Sequence, residues 1–162
     1  MVDGVERSGA ETVSIRRARL EDLPALMAIF AADALGGHGD SADPAVLPEY
    51  QAAFQRIEAS PNDALYVAEL GGEVVGTFQT TLIVSLTARG SANLAVEAVQ
   101  TRNDMRGRGI GAAMMRFAID EGRRLGARQV QLMSNATRSD AHRFYERLGF
   151  ARSHAGFKMK LR

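Results

Sequence analysis

The stretch that decides the fold is MRGRGIGAAMM, from Met105 to Met115. Three of its glycines stand at alternate positions, and a run with helical periodicity follows them. Glycine at this density is costly unless the backbone must turn sharply or approach another group closely. The stretch follows a strand-like segment, Ala92–Thr101, and the helical run extends to about Leu125. It therefore predicts a strand, a tight loop and a helix in succession.

A loop of this kind at the start of a helix predicts an anion site. The first turn of a helix leaves backbone N–H groups unpaired, and the helix dipole favours negative charge there. Glycines at 107, 109 and 111 would let the backbone approach a phosphate, and Arg106 and Arg108 would add forked donors. The expected ligand group is a pyrophosphate. A turn with a purely structural role is the alternative that the loop alone leaves open.

Two other nucleotide-binding motifs fit less well. Gly107, Gly109 and Ala112 also match the dinucleotide fingerprint G-x-G-x-x-A, which needs an acidic residue about 20 positions further on. That region reads VQLMSNA and contains no acid. The Lys and Ser or Thr of a P-loop are absent as well.

The periodicity of the remaining segments predicts an α/β (α+β) domain whose sheet is mixed, mostly antiparallel, with one parallel pair and about four flanking helices. Thr137 and Asp140 resemble a capping box at the start of the last helix. The predicted elements are a strand at Val13–Arg19, helices at Glu21–Ala34 and Pro44–Ala59, a hairpin of Ala64–Leu70 and Val74–Val84, a strand at Arg128–Ser134, a helix ending near Leu148, and one or two closing strands within Phe150–Leu161.

Length and composition restrict the class of protein. The chain has 162 residues, which predicts a flexible N-terminal segment over residues 1–11 and one domain over 12–162. It has no cysteine and only three histidines, so we expect no disulfide, thiolate chemistry or metal site. No apolar stretch is long enough to cross a membrane, and the polar N-terminus does not resemble a signal peptide. We therefore expect a cytoplasmic protein.

Charge is divided unevenly along the chain. Residues 1–100 carry 6 Lys and Arg against 14 Asp and Glu, a net charge of −8, and residues 101–162 carry 14 against 5, a net charge of +9. The basic half could hold an anion and the acidic half could attract a cation, although solvated helix faces would give the same counts. We expect no nucleic-acid partner, because no aromatic residues are interleaved with the arginines.

Two motifs together resemble the GNAT acetyltransferase superfamily. The glycine loop fits R-x-x-G-x-G, with Arg106, Gly109 and Gly111, and FYERLGF at Phe144–Phe150 fits the ending of the family's last helix. The order of predicted elements also matches from about Val13 to Leu161. This resemblance implies a splayed parallel strand pair, acetyl-CoA as the cofactor, and N-acetyl transfer to a primary amine of a small molecule or peptide.

The resemblance also implies which residues hold the cofactor. The backbone of Ala98, Val99 and Gln100 would pair with the pantetheine arm, and the loop from Arg106 to Gly111 would hold the pyrophosphate. Many members have an asparagine seven residues before the tyrosine, where this chain has Arg138. Either Arg138 or the nearby Asn135 could make that contact. The implied cofactor-binding residues are Ala98, Val99, Gln100, Arg106, Gly107, Arg108, Gly109, Ile110, Gly111, Asn135, Arg138 and Phe144.

The implied chemistry is attack of a neutral amine on a thioester in a ternary complex. Tyr145 matches the family's general acid, because a phenol stays protonated at neutral pH. Glu97, on the strand beside the pantetheine site, is the candidate general base, and His38 and Asp40 are weaker candidates. A module that binds coenzyme A without turnover is the alternative. The sequence leaves open the acceptor and the oligomeric state, although homodimers are common in the family.

The same resemblance places acceptor-binding elements in the first two helices and the loops near them. Asp40, Asp43 and Glu49 lie in that region. Carboxylates there would favour a cationic acceptor such as a polyamine, an amino sugar or a lysine-like amine.

Overall fold

The structure, a computed structural model, describes residues 4–8, 11–33 and 38–162, with side chains described from residue 12 onward. Its contacts divide the chain into two compact units, Met1–Gln131 and Leu132–Arg162. The first unit carries most of the regular structure. None of the helices in the described ranges has the length and apolar character that crossing a membrane would need.

In the part of the chain that the structure describes, six strands form one sheet in the order β1-β2-β3-β4-β5-β6. The first four neighbouring pairs are antiparallel. β6 lies beside β5, and the two are joined through a long helix, which is the connection that parallel neighbours require. The mixed, mostly antiparallel sheet is therefore confirmed. The strands are β1 (Gly4–Ser8), β2 (Glu11–Arg17), β3 (Asp63–Leu70), β4 (Glu73–Val84), β5 (Ala92–Thr101) and β6 (Gln129–Leu132).

The helices are α1 (Leu23–Ala31), α2 (Leu47–Ala59), α3 (Thr87–Gly90), α4 (Ile110–Arg124) and α5 (Ser139–Arg147). Four of them are longer than a turn, whereas α3 is a four-residue turn with two left-handed residues inside it. Short 3-10 turns at Leu20–Asp22 and Pro44–Val46 lead into α1 and α2. In the structure, α1 and α2 therefore start later than the helices predicted from the sequence, because the first residues of each predicted helix form a 3-10 turn.

Both faces of the sheet in the first unit are covered by helices. Val67 on β3 packs with α1 and α2 through Leu23, Leu26 and Phe54. Its neighbour Tyr66 must face the other way, because side chains alternate along a strand. The Tyr66 ring lies 5.0 Å from those of both Phe78 on β4 and Phe117 on α4, measured between centroids. The core therefore has two layers, with α4 on the Tyr66 face.

Two glycines allow α4 to lie close to the sheet. A Cβ added to Gly76 on β4 would stand 2.9 Å from the Met114 Sδ atom, and one added to Gly122 on α4 would stand 2.8 Å from a Val130 methyl. Real Cβ atoms do not make contacts this short. The missing side chains therefore set the distance between α4 and its neighbouring strands.

A buried ion pair joins β2 to the start of α1. The Arg16 guanidinium donates to both Asp22 carboxylate oxygens at 2.8 and 2.9 Å, and to Glu69 on β3 at 2.7 Å. The Arg19 amide donates to the same Asp22 carboxylate at 2.7 Å. Asp22 is only 6% exposed. The Asp22 carboxylate therefore stabilises the turn that precedes α1. The Arg16 guanidinium, which bonds to both Asp22 and Glu69, links β2 to β3.

Gly4–Ser8 forms β1 and Glu11 begins β2, within the segment 1–11 that the sequence predicts to be flexible, and residues 1–3 and 9–10 lie outside the described residues. Two other predictions made from the sequence are wrong. The capping box is not formed, because the residue that precedes α5 is Arg138, and Thr137 bonds to Asn135 instead. Residues 150–162 contain no regular secondary structure, so the predicted closing strands are not formed.

Candidate active site

The glycine loop connects β5 to α4 with two left-handed residues. Gly107 has φ +77° and Gly109 has φ +79°, a conformation that side-chain-bearing residues rarely adopt. Within the part of the chain that the structure describes, a Cβ on either glycine would meet no atom closer than 4 Å outside its immediate neighbours. The loop therefore needs these glycines for backbone conformation, and the space beside them is open.

The N-terminus of α4 offers backbone donors to a ligand. The residue before the helix is Gly109, which has no side chain to cap it, and the first turn contains no acidic residue. Ile110 is buried and fixes the start of the helix. Arg106 and Arg108 are exposed on the approach to it. Uncapped N–H groups beside guanidinium groups suit a bound phosphate, so these residues fit the pyrophosphate of a nucleotide cofactor.

The chain before the loop is held at three points. The Arg102 amide donates to the Val75 carbonyl at 2.8 Å, and the Arg102 side chain pairs with Asp104 at 2.7 Å. The Asn103 side chain donates to the Ala32 carbonyl, at the end of α1, at 3.3 Å. These contacts anchor the loop to β4 and α1 within the first unit.

A bulge interrupts β5 where the cofactor arm is predicted to bind. Thr77 on β4 pairs with Gln100 and Gln79 pairs with Glu97, so two residues of β5, Ala98 and Val99, stand opposite one of β4. Ala98 has φ +52°. Such a bulge takes backbone groups out of the ladder and redirects them. It therefore coincides with the residues predicted from the sequence, although no glycine marks it.

β5 is longer than β6, its neighbour on the side away from β4, and extends beyond the end of β6. β5 is ten residues long and β6 is four. The Arg128 amide, just before β6, donates to the Ala92 carbonyl at the beginning of β5. Four residues that start there cannot pair along the whole of β5. The later half of β5, with the bulge, is therefore suited to pair with another extended group.

Glu97 lies directly before the bulge and is exposed. Its neighbours in sequence, Val96 and Ala98, do not enclose it, since Val96 is buried on the other side of the strand and Ala98 is itself exposed. The carboxylate is therefore open to solvent and to an approaching amine.

Tyr145 is held between two aromatic rings in the second unit. Its centroid lies 5.1 Å from that of Phe144 and 6.0 Å from that of Phe150, both in edge contact. The Phe150 amide donates to the Tyr145 carbonyl at 3.1 Å. Burial raises the pKa of the Tyr145 phenol, and the nearby charge of Arg138 opposes that rise. The phenol therefore stays protonated at neutral pH and can donate a proton.

Asn135 organises the turn that leads into α5. Its side-chain oxygen accepts hydrogen bonds from the Thr137 amide at 3.0 Å and hydroxyl at 2.8 Å. Its carbonyl accepts from the Arg138 amide at 3.0 Å. The Asn135 side-chain oxygen is thus committed to the turn, and both Asn135 and Arg138 are exposed.

Sequence reasoning missed a contact in the loop before α2. The Tyr50 hydroxyl donates to Asp40 at 2.6 Å and accepts from the Ser41 amide at 3.3 Å. The Asp43 carboxylate accepts from the Ala45 amide at 2.9 Å. In the sequence, Tyr50 fits only the apolar face of a helix, so no sequence pattern indicated that its hydroxyl would bond to Asp40. Residues 34–37 lie outside the described residues.

The predicted site residues fall into two groups. Within the first unit, the consecutive elements β5, loop and α4 carry Glu97, Ala98, Val99, Gln100 and the residues from Arg106 to Gly111. Within the second unit, the turn before α5 and α5 itself carry Asn135, Arg138, Phe144 and Tyr145. In the ranges 12–33 and 38–162, no three His, Asp or Glu side chains gather as metal ligands would.

The model of the Acetyltransferase (GNAT) family matches residues 23–150. Aminoalkylphosphonate N-acetyltransferase from Salmonella typhimurium is 34% identical over 116 residues, which is 70% of this chain and 75% of that protein.

Solved structures show the same fold. A protein from Bacillus halodurans described as a transcriptional regulator has a TM-score of 0.88 at 38% identity, covering 92% of this chain and 99% of that one. Aminoglycoside N-acetyltransferase AAC(6')-Iy in complex with CoA has a TM-score of 0.75, covering 97% of this chain and 99% of that one; at 14% identity it supports the fold alone. The chain therefore belongs to the acetyltransferase (GNAT) family, and its named relative is an N-acetyltransferase.

Proposed function

We propose that this protein transfers the acetyl group of acetyl-CoA to a primary amine by direct attack in a ternary complex. The observation that carries the proposal is the uncapped N-terminus of α4 behind a loop with two left-handed glycines, next to a bulged strand. Membership of the acetyltransferase family supports acetyl-CoA as the cofactor for this site, and a CoA complex is known for a protein of the same fold.

The first unit would bind the cofactor. The N–H groups of the loop and of the first turn of α4, from Gly107 to Gly111, would donate to the pyrophosphate, and Arg106 and Arg108 would balance its charge. The backbone of Ala98, Val99 and Gln100 would pair with the pantetheine arm as an added strand does. When bound, acetyl-CoA supplies an activated acetyl group as a thioester.

Glu97 would accept the proton that the amine must lose before it attacks. An alkylammonium has a pKa near ~10 and is almost fully protonated at neutral pH. An exposed carboxylate on β5 can receive this proton directly or through a water molecule. The nitrogen then forms its bond to the acetyl carbon as the carbon–sulfur bond breaks.

Tyr145 would supply the proton that the departing sulfur needs. A phenol is already protonated at neutral pH, and burial raises the pKa of Tyr145 further. Contacts with Phe144 and Phe150 restrict the ring. A donor held in one rotamer loses less entropy when the proton is transferred.

The acceptor is proposed to be a small primary amine. The Salmonella typhimurium relative is named for aminoalkylphosphonates. These compounds combine an amine with an acidic phosphonate group. In this chain Asp40, Asp43 and Glu49 are exposed around the loop before α2, which favours a cationic acceptor by charge. An amine panel with both kinds of compound separates these two classes.

Likeness to the Bacillus halodurans protein favours a second candidate, a CoA-binding regulatory module without turnover. This candidate predicts cofactor binding and no thiol release with any amine. The absence of a nucleic-acid partner and the cytoplasmic location remain predictions from the sequence.

Steady release of CoA thiol from acetyl-CoA is the expected result of a screen with aminoalkylphosphonates, polyamines, amino sugars and lysine peptides. With the best acceptor, Glu97→Gln is expected to lower kcat at pH 7 by roughly 10- to 100-fold, because the amine loses its proton acceptor. Glu58→Gln, on exposed α2, is the control. Full activity of Glu97→Gln would remove its role as base, and no release with any amine would favour the regulatory module.

Gly109→Val is expected to raise the Kd of CoA at least about tenfold, because a β-branched residue disfavours the left-handed backbone by about 1–2 kcal/mol and crowds the phosphate side. Isothermal titration calorimetry measures the change. Gly126→Val is the matched control, since Gly126 follows the other end of α4 with φ +72° and equally open surroundings. Equal loss of CoA affinity in both variants would show that strain alone is responsible.

A further inference from the structure

Gln79 on β4 stands directly opposite Glu97 on β5. Residues paired in this way present their side chains on the same face of a sheet, with Cβ atoms about 5 Å apart. The residue paired with Gln79 on its other side is Leu65 on β3. Leu65 packs against the core cluster that α1 and α2 form with Val67. Gln79 and Glu97 therefore lie on the face of the sheet that carries these two helices.

The polar residues on either side of Gln79 on this face already have hydrogen-bond partners. The Thr77 hydroxyl donates to the Tyr66 carbonyl at 2.8 Å, and the Thr81 hydroxyl donates to the Asp63 carboxylate. Within the ranges 12–33 and 38–162, no residue forms a hydrogen bond with the side chain of Gln79 or of Glu97. Gln79 is half-buried and Glu97 is exposed. The pair therefore offers unused hydrogen-bonding groups to a molecule that approaches this face.

The bulge in β5 connects Gln79 to the proposed reaction. It begins directly after Glu97 and redirects the backbone of Ala98 and Val99, which is proposed to hold the pantetheine arm. An amine that gives its proton to Glu97 must therefore come close to the residue opposite Glu97, which is Gln79. A primary amine keeps two N–H groups after it loses that proton, and each needs an acceptor when the amine leaves water. The side-chain carbonyl of glutamine is such an acceptor.

We propose that Gln79 orients the acceptor amine, with its side-chain carbonyl oxygen accepting a hydrogen bond from one amine N–H group while Glu97 accepts the proton. The bond would hold the nitrogen so that its lone pair points at the acetyl carbon, and such orientation lowers the barrier to attack. A side-chain amide does not titrate, so Gln79 is not a second base. The assignment rests on the proposed function, because it needs an amine that is acetylated.

Gln79→Met tests the carbonyl, because methionine has a similar shape and only a weak acceptor. With the best acceptor of the amine screen, KM for the amine is expected to rise about tenfold, and kcat/KM to fall about 10- to 100-fold, since both a hydrogen bond and the orientation are lost. The Kd of CoA, measured by calorimetry, should stay within about twofold of wild type, because the carbonyl acts on the amine alone. The pH dependence of kcat/KM should keep its wild-type form, because no titrating group is removed.

Gln129→Met is the matched control, because Gln129 is an exposed glutamine on β6 of the same sheet. It is expected to leave both kinetic constants unchanged. A rise in the Kd of CoA in Gln79→Met as large as the rise in KM would indicate a general disturbance of β4 and would overturn the proposal.

Gln79→Glu distinguishes an acceptor from a donor. A carboxylate of the same length keeps an acceptor oxygen and loses both N–H donors, so KM for the amine should stay within about threefold of wild type at pH 7. A loss as large as in Gln79→Met would show that the amide donates to the acceptor, contrary to the proposal. Wild-type kinetics in Gln79→Met would also refute it and leave the proposed function intact. No thiol release from the wild type with any amine would refute the proposed function, and the role of Gln79 with it.

Discussion

Replacing Tyr145 with Phe is expected to lower kcat by about 100-fold, because it removes a proton donor and leaves the ring in place. The edge contacts with Phe144 and Phe150 are made by the aromatic ring, which Phe retains, so the substitution should preserve the packing. The Kd of CoA should stay within about twofold of wild type, since the hydroxyl acts on the leaving sulfur and is not needed for binding. Steady-state rates with the best acceptor and calorimetry with CoA measure the two quantities.

The pH profile distinguishes a proton donor from a structural tyrosine. Burial raises the pKa of Tyr145 above its usual 10.0, so the phenol is protonated throughout the neutral range. Wild-type kcat should therefore not fall with ionisation of this group until the pH exceeds 10, and the fall should be absent in Tyr145→Phe. Tyr66→Phe is the control, because Tyr66 is 6% exposed in the core. Unchanged kcat in Tyr145→Phe would contradict the assigned role.

The sequence was sufficient to predict the glycine loop between β5 and α4, because closely spaced glycines indicate a backbone conformation that other residues rarely adopt. Gly107 and Gly109 stand close together where glycine is costly, and both adopt left-handed conformations in the structure. The hairpin of β3 and β4 was also predicted well, because Gly71 and Gly72 mark the turn between its two strands. The bounds of β5 agree with the prediction as well. These features depend on local backbone chemistry, which a short segment encodes by itself.

Features that depend on distant residues could not be predicted. Ala98 adopts a positive φ without being glycine, and the bulge that imposes it arises from pairing with β4. The bond from Tyr50 to Asp40 joins residues ten positions apart across a loop. In both cases the deciding partner lies elsewhere in the fold.

Asp22→Ala is expected to lower the free energy of unfolding by about 3–5 kcal/mol, because it leaves the Arg16 guanidinium partly buried without its main partner. Arg16 makes two hydrogen bonds to Asp22, and its side chain is 15% exposed. The Arg19 amide would lose its acceptor as well. Urea unfolding measures the change. Asp120→Ala is the control, because its pair with Arg123 at 2.9 Å is exposed on both sides and should contribute less than about 1 kcal/mol.

The acid sensitivity of the fold should depend on the same carboxylate. Burial acts to raise the pKa of Asp22, but the hydrogen bonds from Arg16 and the Arg19 amide outweigh it, so the pKa is lowered from its ordinary 3.8. A group whose pKa is lower in the folded protein stabilises it above the unfolded value, and that stability is lost as the pH falls towards the folded value. The wild-type urea midpoint should therefore decrease below about pH 4, and the decrease should be smaller in Asp22→Ala. Parallel curves for the two proteins would show that other carboxylates control acid unfolding.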